Sequence, residues 1–205
     1  MSRNPHHVTR EFEAALCEYT GAKYAVTTNS CTMALLLACA WQKRNGAYTS
    51  YIKIPRRTYI SVPMLIKQAG FDVEFWPKEI IWGGRYQLAP YPIYDCARRF
   101  TSGMYAPGQF QCVSFHASKI LGLEQGGAIL HDNLQADAWL RKARFDGRTE
   151  GVAPKDDKFT FVGWHCYMNP STAAQGLLKL HSLPADNADL PNDDYPDLSQ
   201  MEIFK

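Results

Sequence analysis

The chain has 205 residues, with 46% hydrophobic and 20% charged residues and a formal net charge of +2. That length allows one large domain or two small ones, and the apolar share suits a packed core, which excludes global disorder. A near-neutral charge without a basic run or nucleic-acid motif points away from DNA and RNA, and no apolar stretch approaches the ~20 residues of a membrane helix.

Met1-Ser2-Arg3-Asn4-Pro5-His6-His7 lacks the apolar core of a leader peptide. Phe12, Ala15, Leu16 and Tyr19 share one face of a predicted helix that stops before Gly21. Residues 24–28 read as a short buried strand, after which Ser30 or Thr32 caps a helix running to about Lys43. Residues 51–54 form the next predicted strand, closed by Pro55. A helix over 62–69 ends at Gly70, and a strand follows at 72–76. Further strands are expected at 92–95, 111–115 and 128–131. Helices are expected at 134–145 and 171–183, the second led by Pro170. The six cysteines (Cys17, Cys31, Cys39, Cys96, Cys112, Cys166) contain no CxxC pair and mostly lie in apolar runs. They read as buried thiols of a reducing, cytoplasmic compartment, and no His/Cys pattern has zinc spacing.

Strands alternating with helices imply an α/β fold. The expectation is a three-layer domain over residues 1–183, with a mostly parallel central sheet covered by helices on both faces. Ligands in such folds bind outside the carboxyl ends of the strands. Thr28, Pro55, Asp95 and Phe115 mark those ends, so residues far apart in sequence converge on one rim. Residues 184–205 hold three prolines and six acidic residues against one lysine. That composition builds no core and reads as an acidic C-terminal arm. It is either a loose terminus or an arm wrapped around a partner subunit.

The stretch Ser114-Phe115-His116-Ala117-Ser118-Lys119 stands at the rim, between an apolar run and Gly126-Gly127-Ala128. A lysine just past one strand end, an aspartate at another and a helix start at Ser30-Cys31-Thr32 are the parts needed to hold pyridoxal phosphate (PLP). Lys119 would form the Schiff base, Asp95 would pair with the ring nitrogen, and the helix start would hold the phosphate. Each residue also has a plainer reading. Lys119 alone is a solvated charge. Asp95 and Ser30 alone are helix caps. Ser114 alone is a strand serine bonded to backbone.

In order from about Phe12 to Leu180, these segments resemble the DegT/DnrJ/EryC1/StrS sugar aminotransferases, PLP enzymes of fold type I. Phe12-Glu13-Ala14-Ala15 through Tyr24-Ala25-Val26 resembles the family's opening helix and first strand. Asn29-Ser30-Cys31-Thr32-Met33-Ala34-Leu35 resembles its phosphate turn S-G-T-x-A-L. Pro55-Arg56-Arg57-Thr58-Tyr59 resembles the segment whose aromatic stacks on the cofactor. Asp95-Cys96-Ala97-Arg98 stands for D-A-A-Q or D-A-A-H, and Ser114 to Lys119 matches S-F-H-x-x-K. Arg144-Phe145-Asp146-Gly147 resembles the later R-x-x-G turn. Gly163 to Gly176 resembles the last conserved segment, in which His165-Cys166-Tyr167 replaces N-Y-R.

The resemblance implies a PLP-dependent aminotransferase that moves an amino group, with glutamate as donor, to a nucleotide-linked keto-sugar at the interface of a homodimer. It implies phosphate contacts from Ser30, Cys31, Thr32 and Ser114, stacking by Tyr59, and His116 as a neighbour within the lysine motif. Arg98 would donate to the cofactor's phenolic oxygen, bind a substrate anion, or form a surface salt bridge. His165 would serve the partner's phosphate or be structural. Cys31 at the glycine position raises the question of whether the turn needs a positive φ. The interval from Phe75 to Asp95 is too short for the family's strand–helix pair there, and the chain stops where the family's small domain would begin. The alternatives are other PLP-dependent sugar chemistry, such as dehydration, and a non-catalytic binding subunit. Family dehydratases carry histidine in place of the lysine, which counts against the first. The retained Lys119/Asp95 pair counts against the second.

Overall fold

The computed structural model describes residues 6–78, 82–192 and 194–204. The leader-peptide expectation over residues 1–7 falls mostly outside them, as does Lys205. Seven strands are present among the described residues: β1 (Tyr24–Thr28), β2 (Tyr51–Ile54), β3 (Asp72–Phe75), β4 (Tyr86–Gln87), β5 (Ile93–Asp95), β6 (Phe110–Ser114) and β7 (Gly127–His131). The helices are α1 (His7–Thr20), α2 (Cys31–Arg44), α3 (Ser61–Gln68), α4 (Leu134–Ala143) and α5 (Pro170–His181).

Helix boundaries follow their capping chemistry. Gly21 adopts φ 80° and ends α1. The Ser30 side chain accepts the Met33 N–H at 3.3 Å and opens α2. Asn133 accepts the Ala136 N–H at 2.9 Å at the start of α4, and Asn169 followed by Pro170 opens α5.

The main sheet has the order β1-β7-β6-β5-β4, and every residue of β6 and β7 is buried. Alternate side chains leave opposite faces. Val26, Cys112 and Ile129 pack with Leu35 and Leu37 of α2 and Leu140 of α4. Ala25, Val113, Ala128 and Leu130 pack with Phe12 and Leu16 of α1 and Ala173 and Leu180 of α5. Covering both faces is what makes these strands near-continuous apolar runs in the sequence, and each fully buried leucine contributes about 1.5–3 kcal/mol.

The α/β class and the helices on both faces agree with expectation, but the sheet is mixed, not mostly parallel. β7 runs antiparallel to β1 and β6, β4 runs antiparallel to β5, and β5 and β6 are parallel. β2 and β3 form a separate parallel pair. The reason lies in the connections. Residues 115–126 form a loop without a helix, so the chain returns beside β6 in the opposite direction. The expected rim survives this change. β1 and β6 are both antiparallel to β7, so β1, β6 and β5 all end on one side of the sheet.

The tail lies along its own chain. Tyr19 donates to the Pro184 carbonyl at 2.6 Å, Leu190 N–H to the Arg98 carbonyl at 2.9 Å, and Leu198 N–H to the Arg56 carbonyl at 2.9 Å. Leu198 and Phe204 are buried, Phe204 edge-on to Phe75 with ring centroids 6.1 Å apart. Asp189 pairs with Arg99, and Asp197 faces Arg56.

A buried charge cluster locks α1 to the end of β1 and to α4. Glu13 accepts from the Thr27 N–H at 2.9 Å and the Thr27 hydroxyl at 2.8 Å, and pairs with Arg141 and Arg144. Burial raises the Glu13 carboxyl, but the charges of Arg144 and Arg141 and the Thr27 N–H outweigh it and hold it at about 2. A depressed native pKa contributes stability that is complete above the unfolded value of 4.5 and is lost as pH falls through about 2. Glu13→Gln removes the anion that Arg141 and Arg144 share, leaving them Asp137 and the more distant Glu150, and should cost about 3 kcal/mol at neutral pH. Urea titrations against pH should show the wild type losing this advantage between pH 4.5 and about 2, and the variant should lack that slope.

Candidate active site

The ends of β1, β5 and β6 open into a cavity of about 480 Å³. Of the residues singled out from sequence, Ser30, Cys31, Thr32, Tyr59, Asp95, Arg98, Ser114, His116 and Lys119 line it. His165 does not.

One wall is the start of α2. Cys31 is its first helical residue. Among the described residues the non-glycine position with positive φ is Asp146, at 59°. The turn therefore makes no demand on Cys31 that only glycine meets, and the substitution for the family's glycine is compatible with the backbone. The Cys31 thiol points inward, 3.6 Å from the Cys112 carbonyl. Burial first, and the nearby charge of Asp95, push it well above the usual thiol range, so it stays protonated. The Thr32 hydroxyl lies 2.8 Å from that of Ser61, another lining residue. The glycine that the site does need is Gly127. A Cβ there would stand 2.5 Å from the Cys31 backbone nitrogen. The first residue of β7 lets the helix start press against the sheet.

The floor is Asp95, 5% exposed at the end of β5. One carboxylate oxygen accepts the Ala97 N–H at 2.9 Å, and the other accepts the Tyr86 hydroxyl at 2.8 Å. Burial raises this carboxyl; the bonds from Ala97 and Tyr86 and the charges of Lys119 and Arg98 oppose the rise without cancelling it.

Lys119 sits half-buried in the loop after β6, its N–H donating to the His116 carbonyl at 2.8 Å. Phe115 N–H to Gly126 and Leu123 N–H to Phe115, at 2.9 and 2.8 Å, close this loop at its base. His116 is exposed, and its Nδ1 lies 3.0 Å from the Ser118 hydroxyl. Ser114 accepts the His116 N–H at 3.4 Å.

The mouth is aromatic. Tyr59 is 57% exposed there, its ring edge-on to that of Tyr195 at 6.4 Å, with Trp82 also on the wall. Arg98 is buried on the cavity wall and does not lie at the surface. It donates to the Pro191 carbonyl and, at 2.9 Å, to the Tyr195 hydroxyl. His165 is exposed outside the cavity, its Nδ1 2.9 Å from Asp146.

Sequence reasoning missed Thr58, Ser61, Trp82, Tyr86 and Tyr195. Thr58 and Ser61 flank Tyr59, so the segment after Pro55 held a usable signal. Tyr86 lies in a two-residue strand too short for any periodicity, and Tyr195 lies in a tail read by composition alone. Gly127→Ala should destabilise the fold by about 1–3 kcal/mol, because the new methyl group meets backbone that has no room to shift. Thermal melts should register the loss, and a melt unchanged from the wild type would mean the helix start moves freely away from β7.

The model of the DegT/DnrJ/EryC1/StrS aminotransferase family matches residues 4–76 and 101–189. Trp82, Tyr86, Asp95, Arg98 and Tyr195 fall outside the matched ranges. Among solved structures, the chain resembles PseC of Helicobacter pylori, an aminotransferase involved in the biosynthesis of pseudoaminic acid, with 17% identity and a TM-score of 0.71 over 86% of this chain and 58% of that one. It also resembles the sugar aminotransferase CalS13 of Micromonospora echinospora, with 18% identity and a TM-score of 0.71 over 86% and 61%. A third is the GDP-4-keto-6-deoxymannose-3-dehydratase ColD, with 16% identity and a TM-score of 0.68 over 86% and 61%. The chain thus spans about 60% of the length of these structures. No curated protein matches it.

Proposed function

Because the chain belongs to the DegT/DnrJ/EryC1/StrS aminotransferase family, we propose that it is a PLP-dependent aminotransferase, moving an amino group from glutamate to a nucleotide-linked keto-sugar. The observation that carries this reading is the convergence of Lys119, the buried Asp95 and the capped start of α2 on one cavity. The donor set fits the cofactor: an amine, a buried carboxylate, and hydroxyls with helix-start N–H groups for a phosphate dianion. When bound, PLP supplies an aldehyde that exchanges amino groups and a protonated ring that draws electrons from the reacting carbon.

In this reading Lys119 Nζ would be the amine that holds the cofactor, and as a free base it would serve as the proton acceptor in the amino-group exchange. Asp95 keeps the ring nitrogen protonated, and a cationic ring in turn favours its ionised form. Ser30, Thr32, Ser114 and the Cys31 N–H hold the phosphate. Tyr59, at the mouth, would stack on the cofactor ring. His116 shapes the lysine loop through Ser118. Arg98 holds Tyr195 while lining the same cavity, a position compatible with a contact to the phenolic oxygen or to a substrate anion.

The same reading makes the protein a cytoplasmic homodimer with shared sites. The exposure of His165 outside its own cavity supports a role toward a partner's cavity, and a two-fold contact covers both sites at once. Closing the mouth keeps water from the reaction and strengthens the electrostatics inside.

Borohydride reduction of PLP-loaded protein, followed by peptide mass spectrometry, should place the pyridoxyl group on Lys119. Label found only on other lysines would sink the assignment. For the shared site, inactive Lys119→Ala and His165→Ala chains are unfolded and refolded together. A hybrid dimer then holds one complete site, so activity should reappear. Mixtures as inactive as the separate variants would refute the cross-chain role of His165.

A further inference from the structure

We propose that Tyr86 is a positioning residue for Asp95: its hydroxyl, held in turn by Thr58, fixes the carboxylate beneath the cavity as an anion. The inference rests on the reading of Asp95 as the partner of the PLP ring nitrogen.

The geometry is set by the backbone. β4 runs antiparallel to β5, with Tyr86 directly opposite Asp95. Directly opposed residues project to the same face of a sheet. Both are nearly sealed from solvent, at 4% and 5% exposure. The phenol oxygen lies 2.8 Å from Asp95 Oδ2 and 2.6 Å from Thr58 Oγ1. The edge of the Trp82 ring covers Tyr86, with centroids 4.6 Å apart. The chain of bonds therefore joins the loop after β2, the start of β4 and the end of β5.

Counting protons fixes its direction. An ionised carboxylate only accepts, so Tyr86 donates to Asp95. The phenol has no second proton, so the Thr58 hydroxyl donates to the phenol oxygen. Burial, then the charge of Asp95, push the Tyr86 phenol well above its ordinary range, so it remains a donor. With Oδ1 held by the Ala97 N–H, both oxygens are fixed from the protein side. The charged and titratable groups facing Asp95 are Lys119 from the loop after β6, Arg98 after β5, Tyr86 from β4, Cys31 from α2, Cys96 beside it and Cys112 from β6. The thiols are all held protonated by burial. Among neighbouring side chains, Tyr86 supplies the neutral donor that favours the ionised carboxylate.

The test measures PLP affinity against pH by quenching of protein fluorescence, in full-length wild type, Tyr86→Phe, Thr58→Val and Asp95→Asn. Removing a bond to the charged form raises the Asp95 pKa. In Tyr86→Phe the acid limb of binding should therefore move up by about one to two pH units, the size expected for a hydrogen bond to a charged group. Thr58→Val should move it the same way by less, and Asp95→Asn should abolish it. A merely structural Tyr86 would lower the melting temperature and leave the limb in place, which overturns the inference. If Tyr86→Phe does not fold, Thr58→Val decides, and an unmoved limb there overturns it equally. If Asp95→Asn also leaves the limb unchanged, the reading of Asp95 itself fails. An effect in Asp95→Asn alone leaves that reading standing and removes only Tyr86.

Discussion

A single buried carboxylate, that of Glu13, anchors the β1 side of the rim. It holds the end of β1 through Thr27, whose carbonyl and hydroxyl also accept from Arg144. Thr28 continues the constraint by donating to the Ser30 carbonyl at 2.9 Å, and Asn29 N–H reaches the Cys166 carbonyl at 2.8 Å. The helix start at Ser30 is thus fixed from behind by a chain of bonds that begins at an ion pair. Such a cluster persists only if its charges balance. Here Arg141 also pairs with Asp137 at 2.8 Å, and Arg144 faces Glu150 at 3.7 Å. The energetic worth of the cluster lies less in attraction than in the penalty for breaking it, which makes the geometry of β1 hard to deform.

The departures from a parallel sheet are the places where the site is built. If β7 ran parallel to β6, its first residue would lie at the opposite end of the sheet. Running antiparallel, it brings Gly127 to the rim, opposite Thr28 and Ser114. There the absence of a side chain lets α2 approach. β4 does the same on the other side, delivering Tyr86 beside Asp95. The short loop of 115–126 that forces the reversal is also the loop that carries Lys119. Topology and chemistry therefore share one cause, the lack of a crossover helix after β6.

Six of the seven described strands and the five α-helices were legible because burial leaves a strong apolar imprint, as in 110–114 and 127–131, whereas the two-residue β4 was not. Rim placement was legible too, since strand ends depend on chain direction and not on neighbour order. Strand order was not, because pairing partners leave no mark on local composition. The packing of the tail was hidden for a different reason. Its composition reads as an arm without a core until the particular arginines opposite its acidic residues, Arg99 for Asp189 and Arg56 for Asp197, are brought near by the fold. Glu13 and Arg144 stood within segments matching the family pattern, yet only the folded chain shows that they bind each other.

The cavity wall divides along the same line as the family match. The helix start at Ser30 and the Lys119 loop lie in matched segments, while the floor and much of the mouth come from 82–98 and from Tyr195. Arg98 explains why these unmatched pieces act together. A buried guanidinium needs acceptors on several sides, and the tail provides them through the Pro191 carbonyl and the Tyr195 hydroxyl. The arginine three residues after Asp95 is thereby satisfied by the segment that walls the mouth. A neutral side chain there would leave Tyr195 with one anchor fewer, and a shifted tail would take two acceptors from a buried cation. Each half of this arrangement constrains the other, so the segments outside the family match are held together where they meet the matched frame at the cavity.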